Sequence, residues 1–358
     1  MVYIIMLLIT IPLAYIWQAH SEVTYCPREW LIKNRIVFHI TPRFWAMLAF
    51  VPLYCIYAFQ YSLHTDYDNY EKAFLQIKAG TGSIREIGVN YINKLVAVLD
   101  LDFQFVYFII YLIAFCILAK CLMDYSKDYA MSMFLFVTVF FMLGFLQIRQ
   151  LVAVIISLYA YRYISANRFG QYILTIAVAC LFHVSAVIMI PAYFILKYDF
   201  RCSYYFMAAG LFGVLTLFQT KVLTWIVKTF IPGYYGRHEM FRNLQINKWD
   251  AIMLLTILFL CAIYYSRVRE QYACNRIFIN GLFVYAIIFF LGRWIIEFDR
   301  FGYYFYFPVI CLIPNMLDCE NNFSFKWLLK IGVCGMSLLF WIIRYGGGEM
   351  FHYVSILG

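Results

Sequence analysis

The sequence predicts an all-α integral membrane protein that crosses the bilayer about 11–12 times. Three observations carry this. Of 358 residues, 65% are hydrophobic and only 13% charged, with a mean hydropathy of +0.77, whereas a soluble domain carries about 25% charged residues. The apolar residues fall in runs of about 15–20, long enough to reach across a hydrocarbon core. These runs are continuous and not alternating, which argues against a membrane β-barrel. No composition shift divides the chain, so residues 1–358 read as a single transmembrane domain.

Each element follows in order. The run 2–17 has no basic start and no small-residue cleavage site, so it reads as a retained helix and not a signal peptide. The break 18–43 holds Arg28, Lys33, Arg35 and Arg43 against Glu22 and Glu29. Positive charge favours the cytoplasmic side, which sets the N-terminus outside. The run 44–61 crosses outward, and the segment 62–103 is then expected outside. Its acids (Asp66, Asp68, Glu71, Glu86, Asp100, Asp102) outnumber its bases (Lys72, Lys78, Arg85, Lys94). The runs 104–119, 129–147 and 151–164 cross in turn. They place the turn Gln147–Gln150 outside and Arg162 and Arg168 inside.

Simple alternation then fails, because it would set Arg267, Arg269 and Arg276 on the outer side. One further crossing between 171 and 220 repairs the parity. The run 171–196 is about 39 Å long as one helix, and its middle reads "FHVSA" with Pro191 beyond. Two half-length helices meeting near His183 would return Lys197 and Arg201 to the cytoplasm. The run 204–220 then crosses outward and 221–250 becomes a second extracytoplasmic segment. The runs 251–265, 277–296, 303–316 and 327–343 complete the bundle.

Composition also narrows the chemistry. The net charge of +9 comes with no basic cluster or RNA motif, so nucleic acid is not an expected partner and orientation is the simpler cause. The 11 cysteines form no C-x-x-C pair, and Cys55, Cys116, Cys180, Cys261, Cys311 and Cys334 lie inside apolar runs. They read as small core residues and not as a zinc site or disulfide framework. No P-loop, G-x-S-x-G or H-E-x-x-H motif occurs. No metal and no cofactor are expected.

The unusual polar residues all fall on the outer face of this topology. Arg149 lies between two apolar runs, where a charge costs at least a few kcal/mol unless paired or functional; snorkelling to the headgroups is the competing account. Its planar fork suits phosphate. His183 titrates near neutrality and suits proton abstraction from a hydroxyl, although a buried structural histidine would look the same. The stretch His64–Tyr70 and "PGYYGR" at Pro232–Arg237 offer carboxylates and phenols, whose rings can stack on sugars or simply sit at an interface. Arg300 closes a short polar break with Asp299; with Arg85, Arg149, Arg237 and Arg293 it forms an outward set suited to a polyanion such as pyrophosphate.

The order "TDYDNYEKAF", "REIGVNYINKL", "IRQLVAVIISLYAYRYI" and "ACLFHVSAVIMIPAYFI" resembles the EpsG family of exopolysaccharide-synthesis proteins, which look like Wzy-type polymerases of O-antigen, capsule and exopolysaccharide. The resemblance runs from about Thr65 to Leu196, with "DRFGYYF" similar to the family's Arg-then-aromatic stretch. Val89 departs from it, standing where an aromatic is usual. The resemblance implies a multi-pass glycosyltransferase of the bacterial cytoplasmic membrane, acting on its periplasmic or extracellular face. Its substrates would be undecaprenyl-pyrophosphate-linked oligosaccharides, and a chain-length regulator of the polysaccharide co-polymerase type would be a partner.

Carried onto this chain, the resemblance gives Arg149, Gln150 and Arg300 to the pyrophosphate, with Arg237 joining from the outward arginine set. His183, Asp66 and Glu86 are the catalytic candidates, any of which could be the base. Tyr67 and Tyr70, with Tyr234 and Tyr235, would bind sugar. A lipid-linked oligosaccharide flippase or other transporter is the rival reading, although such chains are usually built from internal repeats and none is found here. A membrane O-acyltransferase would be expected to carry arginines in its first helix, and 2–17 is uncharged.

Overall fold

The structure, a computed structural model, describes residues 2–23, 44–62, 65–201, 203, 207, 248–271, 273–292, 299–346 and 353–356. Among these the regular elements are helical: α1 (Val2–Val23), α2 (Val51–Ala58), α3 (Thr65–Lys78), α4 (Ile87–Val98), α5 (Gln104–Tyr125), α6 (Tyr129–Leu146), α7 (Ile148–Ser165), α8 (Phe169–Phe182), α9 (Met189–Lys197), α10 (Lys248–Gln271), α11 (Ala273–Gly292), α12 (Asp299–Tyr306), α13 (Val309–Asp318) and α14 (Phe323–Tyr345). Five stretches are long and apolar enough to span a bilayer: Val2–Ala19, Gln104–Tyr125, Tyr129–Leu146, Trp249–Glu270 and Phe323–Tyr345. Shorter apolar helices complete the set, so the chain is an all-α polytopic membrane protein.

The long helices bury one another and expose apolar side chains outward. Tyr57, Tyr111, Phe141, Leu151 and Ile155 are fully enclosed, while Leu8, Leu112, Phe259 and Ile331 are more than half exposed. In water that outward surface would be a liability; facing lipid it costs nothing. The core is unusually aromatic, with Tyr57 stacked on Tyr111 at a centroid distance of 4.5 Å.

The described helices sort their polar ends into two groups. At one end Asp124 meets Arg162, Asp128 meets Lys330, Asp318 meets Lys326, and Asp199 bonds Arg269. The turns there carry the basic residues that sequence charge assigned to a common side. The opposite end holds the start of α7, the end of α8, α3 and α4. The tail joins α2 there, where Tyr353 donates to the Ile56 carbonyl and Gln60 forms a bridge with Ser355.

The break near His183 is present. α8 ends at Phe182, His183 is extended (φ −153°, ψ 121°), Val184–Ile188 makes a tight 3-10 turn, and α9 runs back. Phe169, at the start of α8, lies 4.8 Å ring to ring from Tyr193 in α9. The Tyr172 hydroxyl donates to the Met189 carbonyl at 2.5 Å. These contacts make the pair an antiparallel hairpin of half-length helices. Pro191 sits in the first turn of α9, where its missing N–H costs little.

The segment 62–103 folds as two helices joined at 79–86. α3 ends in a left-handed Gly80 (φ +75°), where Gly80 N–H bonds to the Ile77 carbonyl and Thr81 N–H to that of Gln76. α4 exposes Ile87, Tyr91, Leu95 and Val98 along one stripe, spaced as one face of a helix. Composition hid this, because the acids lie in α3 and in the turns. The run 303–316, expected as one crossing, is two helices: the chain turns at Phe307–Pro308, where proline has no N–H to give the Tyr304 carbonyl, which accepts from the Tyr161 hydroxyl at 3.1 Å instead.

Candidate functional site

The site forms where four helix ends converge. Gln147 (φ −143°, ψ 56°) breaks the chain between α6 and α7. Arg149 therefore stands in the first turn of α7, pointing from the end of the bundle and not out of its middle. Its Nε donates to the Tyr70 hydroxyl at 3.0 Å, and Nη1 donates to Glu86 Oε2 at 2.5 Å. The guanidinium carbon also lies 5.0 Å from the centre of the Tyr70 ring, within cation–π range. Arg149 is a gripped arginine, and a side chain snorkelling freely to headgroups would show none of these partners.

Glu86 occupies the N-cap position of α4 but makes no bond to that helix's own amides. Its carboxylate turns instead to Arg149. The Glu86 side chain is 7% exposed and that of Arg149 27%. A carboxylate that buried needs a partner, since removing one member of such a pair leaves an uncompensated charge. The adjoining helix N-terminus favours the same negative charge.

Tyr70 projects from α3, one helical turn beyond Asp66, so the two share a face. Burial raises the Tyr70 phenol above its ordinary range; the Arg149 charge opposes this and that of Asp66 adds to it. The hydroxyl accepting from Arg149 therefore keeps its own proton at neutral pH. Asp68 faces elsewhere and accepts from the Ser62 hydroxyl at 2.9 Å.

Gln150 ties the start of α12 to the start of α7, its Nε2 donating to the Arg300 carbonyl at 2.5 Å. Gln150 is 1% exposed and its Oε1 is buried with no hydrogen-bond partner among the described residues. His183 lies at the hairpin tip, half-buried. The charges of Arg149, Arg300 and Arg85, and against them Glu86, all act on it. Its Nδ1 is 2.5 Å from Ser185 Oγ, which is 2.8 Å from Tyr304 Oη.

The structure thus brings Arg149, Glu86, Tyr70, Gln150, Arg300 and His183 to one end, with Asp66 one turn from Tyr70. Tyr67 is a correction. It is 4% exposed, its hydroxyl donates to Gln104 at 2.9 Å, and its ring lies among Tyr61, Phe103 and Tyr107. That placement leaves no ring face for a sugar; Tyr67 fastens α3 to α5. Arg237, Tyr234, Tyr235 and Arg293 lie outside the described residues. Val89 is also core: with Tyr70, Asn93 and Arg149 it lines a cavity of about 10 Å³, about the volume one water needs.

Residues the sequence did not single out complete the arrangement. Asn93 is 1% exposed, with Oδ1 unpartnered among the described residues, and lines the same cavity. Tyr304 anchors Ser185. Gly88 admits the end of α8 against α4. All three sit within the quoted stretches "REIGVNYINKL" and "DRFGYYF", yet nothing in the residue types marks them as partners.

The sequence profile of the EpsG family matches residues 43–355. The chain belongs to the EpsG family. No curated protein and no solved structure matches it. The EpsG match extends far past Leu196 and takes in α10 to α14, so Arg300 and Tyr304 fall inside it as firmly as Arg149 does. EpsG is a Wzy-type polymerase-like family, which gives this membrane protein a polymerase-like role in polysaccharide biosynthesis.

Proposed function

We propose that this EpsG protein polymerises lipid-linked oligosaccharide repeat units on the extracytoplasmic face of the bacterial cytoplasmic membrane. The growing chain passes from undecaprenyl pyrophosphate to a sugar hydroxyl of an incoming unit. The observation that carries this reading is the gripped Arg149. It is a cation held in place by Glu86 and Tyr70 at the helix-end cluster that includes His183 and Arg300.

In the transfer, the acceptor oxygen attacks the anomeric carbon and the bond from that carbon to the pyrophosphate oxygen breaks. The bonding pair leaves on the pyrophosphate, and the acceptor's proton passes to a base. Negative charge grows on the leaving group, so cations fixed in advance lower the barrier without reorganising. Arg149 and Arg300 would supply them, with Gln150 holding their two helices in register. Glu86, committed to Arg149, would orient the arginine. Asp66, on the Tyr70 face of α3, would take the acceptor's proton. The two-groups-of-ends charge pattern supports the orientation, since basic turns favour the cytoplasm.

The deciding experiment is the product that accumulates in a strain lacking this chain. Loss of a polymerase leaves single repeat units capping the lipid. Absence of any surface repeat would favour the flippase reading instead, and full-length polymer lacking acyl groups an acyltransferase.

A further inference from the structure

His183 could meet a substrate either as a base or as a hydrogen-bond donor, and its neighbours decide between them. Nδ1 lies 2.5 Å from Ser185 Oγ and accepts the Ser185 backbone N–H at 3.4 Å. An amide N–H only donates, so Nδ1 must present a lone pair to it. The Ser185 hydroxyl continues to Tyr304 Oη at 2.8 Å, and both residues are buried, at 8% and 1% exposed.

Protons can run along this chain in two directions. If Tyr304 donates to Ser185 and Ser185 donates to Nδ1, every hydrogen has an acceptor. If Nδ1–H donates to Ser185 and Ser185 to Tyr304, the phenolic hydrogen is left buried without an acceptor among the described residues. An unmet buried donor costs about 1–3 kcal/mol, and Nδ1–H would also confront the Ser185 amide. Both considerations select the first direction. The one proton of a neutral imidazole then sits on Nε2, which has no hydrogen-bond partner among the described residues.

We infer that Ser185 and Tyr304 lock His183 as its Nε2–H tautomer, and that His183 serves the transfer as a hydrogen-bond donor to a phosphate oxygen of the leaving pyrophosphate, not as the base. Ser185 and Tyr304 are then positioning residues. The surroundings suit an anion: the charges of Arg149, Arg300 and Arg85 act on the ring, against that of Glu86. A donor aimed at developing negative charge does the work of an oxyanion hole. The tautomer stands on geometry alone; the donor role rests on the polymerase reading.

Two measurements test the two parts. The full chain, with 6 histidines, is labelled with [15N]histidine and studied by NMR in detergent near neutral pH. The signal absent from His183→Gln belongs to His183. It is expected to show a neutral ring protonated on Nε2, and Ser185→Ala and Tyr304→Phe are expected to mix the tautomers. A ring protonated on Nδ1, or an imidazolium, overturns the lock.

The second measurement is surface polymer in a deletion strain carrying variants that accumulate normally in the membrane. Glutamine places an amide N–H near Nε2 but has no basic nitrogen. His183→Gln is therefore expected to retain long polymer, with a loss well short of the roughly 100- to 10,000-fold that follows removal of a general base. His183→Ala is expected to lose it. If Gln fails as completely as Ala, the donor role is overturned. Arg149→Ala separates this from the parent reading: normal polymer from that variant would sink the polymerase site itself, whatever His183→Gln does.

Discussion

Gly88 and Leu181 touch backbone to backbone: a β-carbon on Gly88 would stand 3.0 Å from the Leu181 carbonyl oxygen. This contact seats α4 against the end of α8, and it holds Glu86, two residues before Gly88, beside Arg149. It makes the glycine of "REIGV" a spacing residue for the site.

Gly88→Ala should therefore push α4 away from α8. Overpacking of this kind typically costs about 1–3 kcal/mol, and it should displace Glu86 as well. The expected result is a lowered melting temperature in detergent together with shortened polymer. An alanine variant unchanged in both would show that α4 is free to adjust.

Arg149 offers a test of charge geometry. Its Nε and Nη1 are committed to Tyr70 and Glu86, and lysine cannot make both contacts while presenting a planar fork. Arg149→Lys should lose nearly as much polymer as Arg149→Ala, with normal membrane accumulation. Near-normal polymer from the lysine variant would reduce Arg149 to a simple point charge.

Glu86 should behave as the partner of Arg149. Glu86→Gln keeps the shape and removes the charge, leaving the guanidinium uncompensated in a half-buried setting. If Glu86 orients Arg149, polymerisation by the double variant Glu86→Gln with Arg149→Ala should be no worse than that of Arg149→Ala alone, because groups acting as a unit are non-additive. Additive losses in a quantified polymer assay would instead give Glu86 a task of its own.

Asp66 and Asp68 lie two residues apart and about 200° around α3 from each other. Asp68 caps the Ser62 hydroxyl, whereas the Asp66 charge reaches Tyr70. Asp66→Asn is expected to remove long polymer while single-repeat product persists, as loss of a base costs about 100- to 10,000-fold in rate. Asp68→Asn should be mild, since exposed substitutions change stability by at most about half a kcal/mol. Equal, small effects would return the helix to a solvated surface role.

Orientation can be read by labelling single cysteines in a background lacking native ones. Ser83 lies in the turn between α3 and α4, and Asn321 in the turn before α14, both exposed and at opposite ends. Ser83→Cys should react with an impermeant maleimide in intact cells or spheroplasts, and Asn321→Cys only after lysis. The reverse pattern would put the Arg149 end in the cytoplasm and remove the proposed substrate side.

Composition and charge alone were enough to read the helical membrane class and the helix break at His183. Hydropathy and charge act locally, so a run of apolar residues states its burial wherever it folds, and the parity of basic turns asks for a break in the run 171–196. The pairing inside the site was decided only by tertiary structure. Arg149 meets Glu86 across 63 residues and Tyr70 across 79, and Ser185 meets Tyr304 across 119. No spacing rule reaches that far; helix packing chooses which ends coincide. The same packing buried Tyr67 among aromatics while leaving Tyr70 for the arginine, although both are tyrosines on one helix three residues apart. Their roles differ because 300° of helical rotation turns one ring into the α5 interface and the other toward α7.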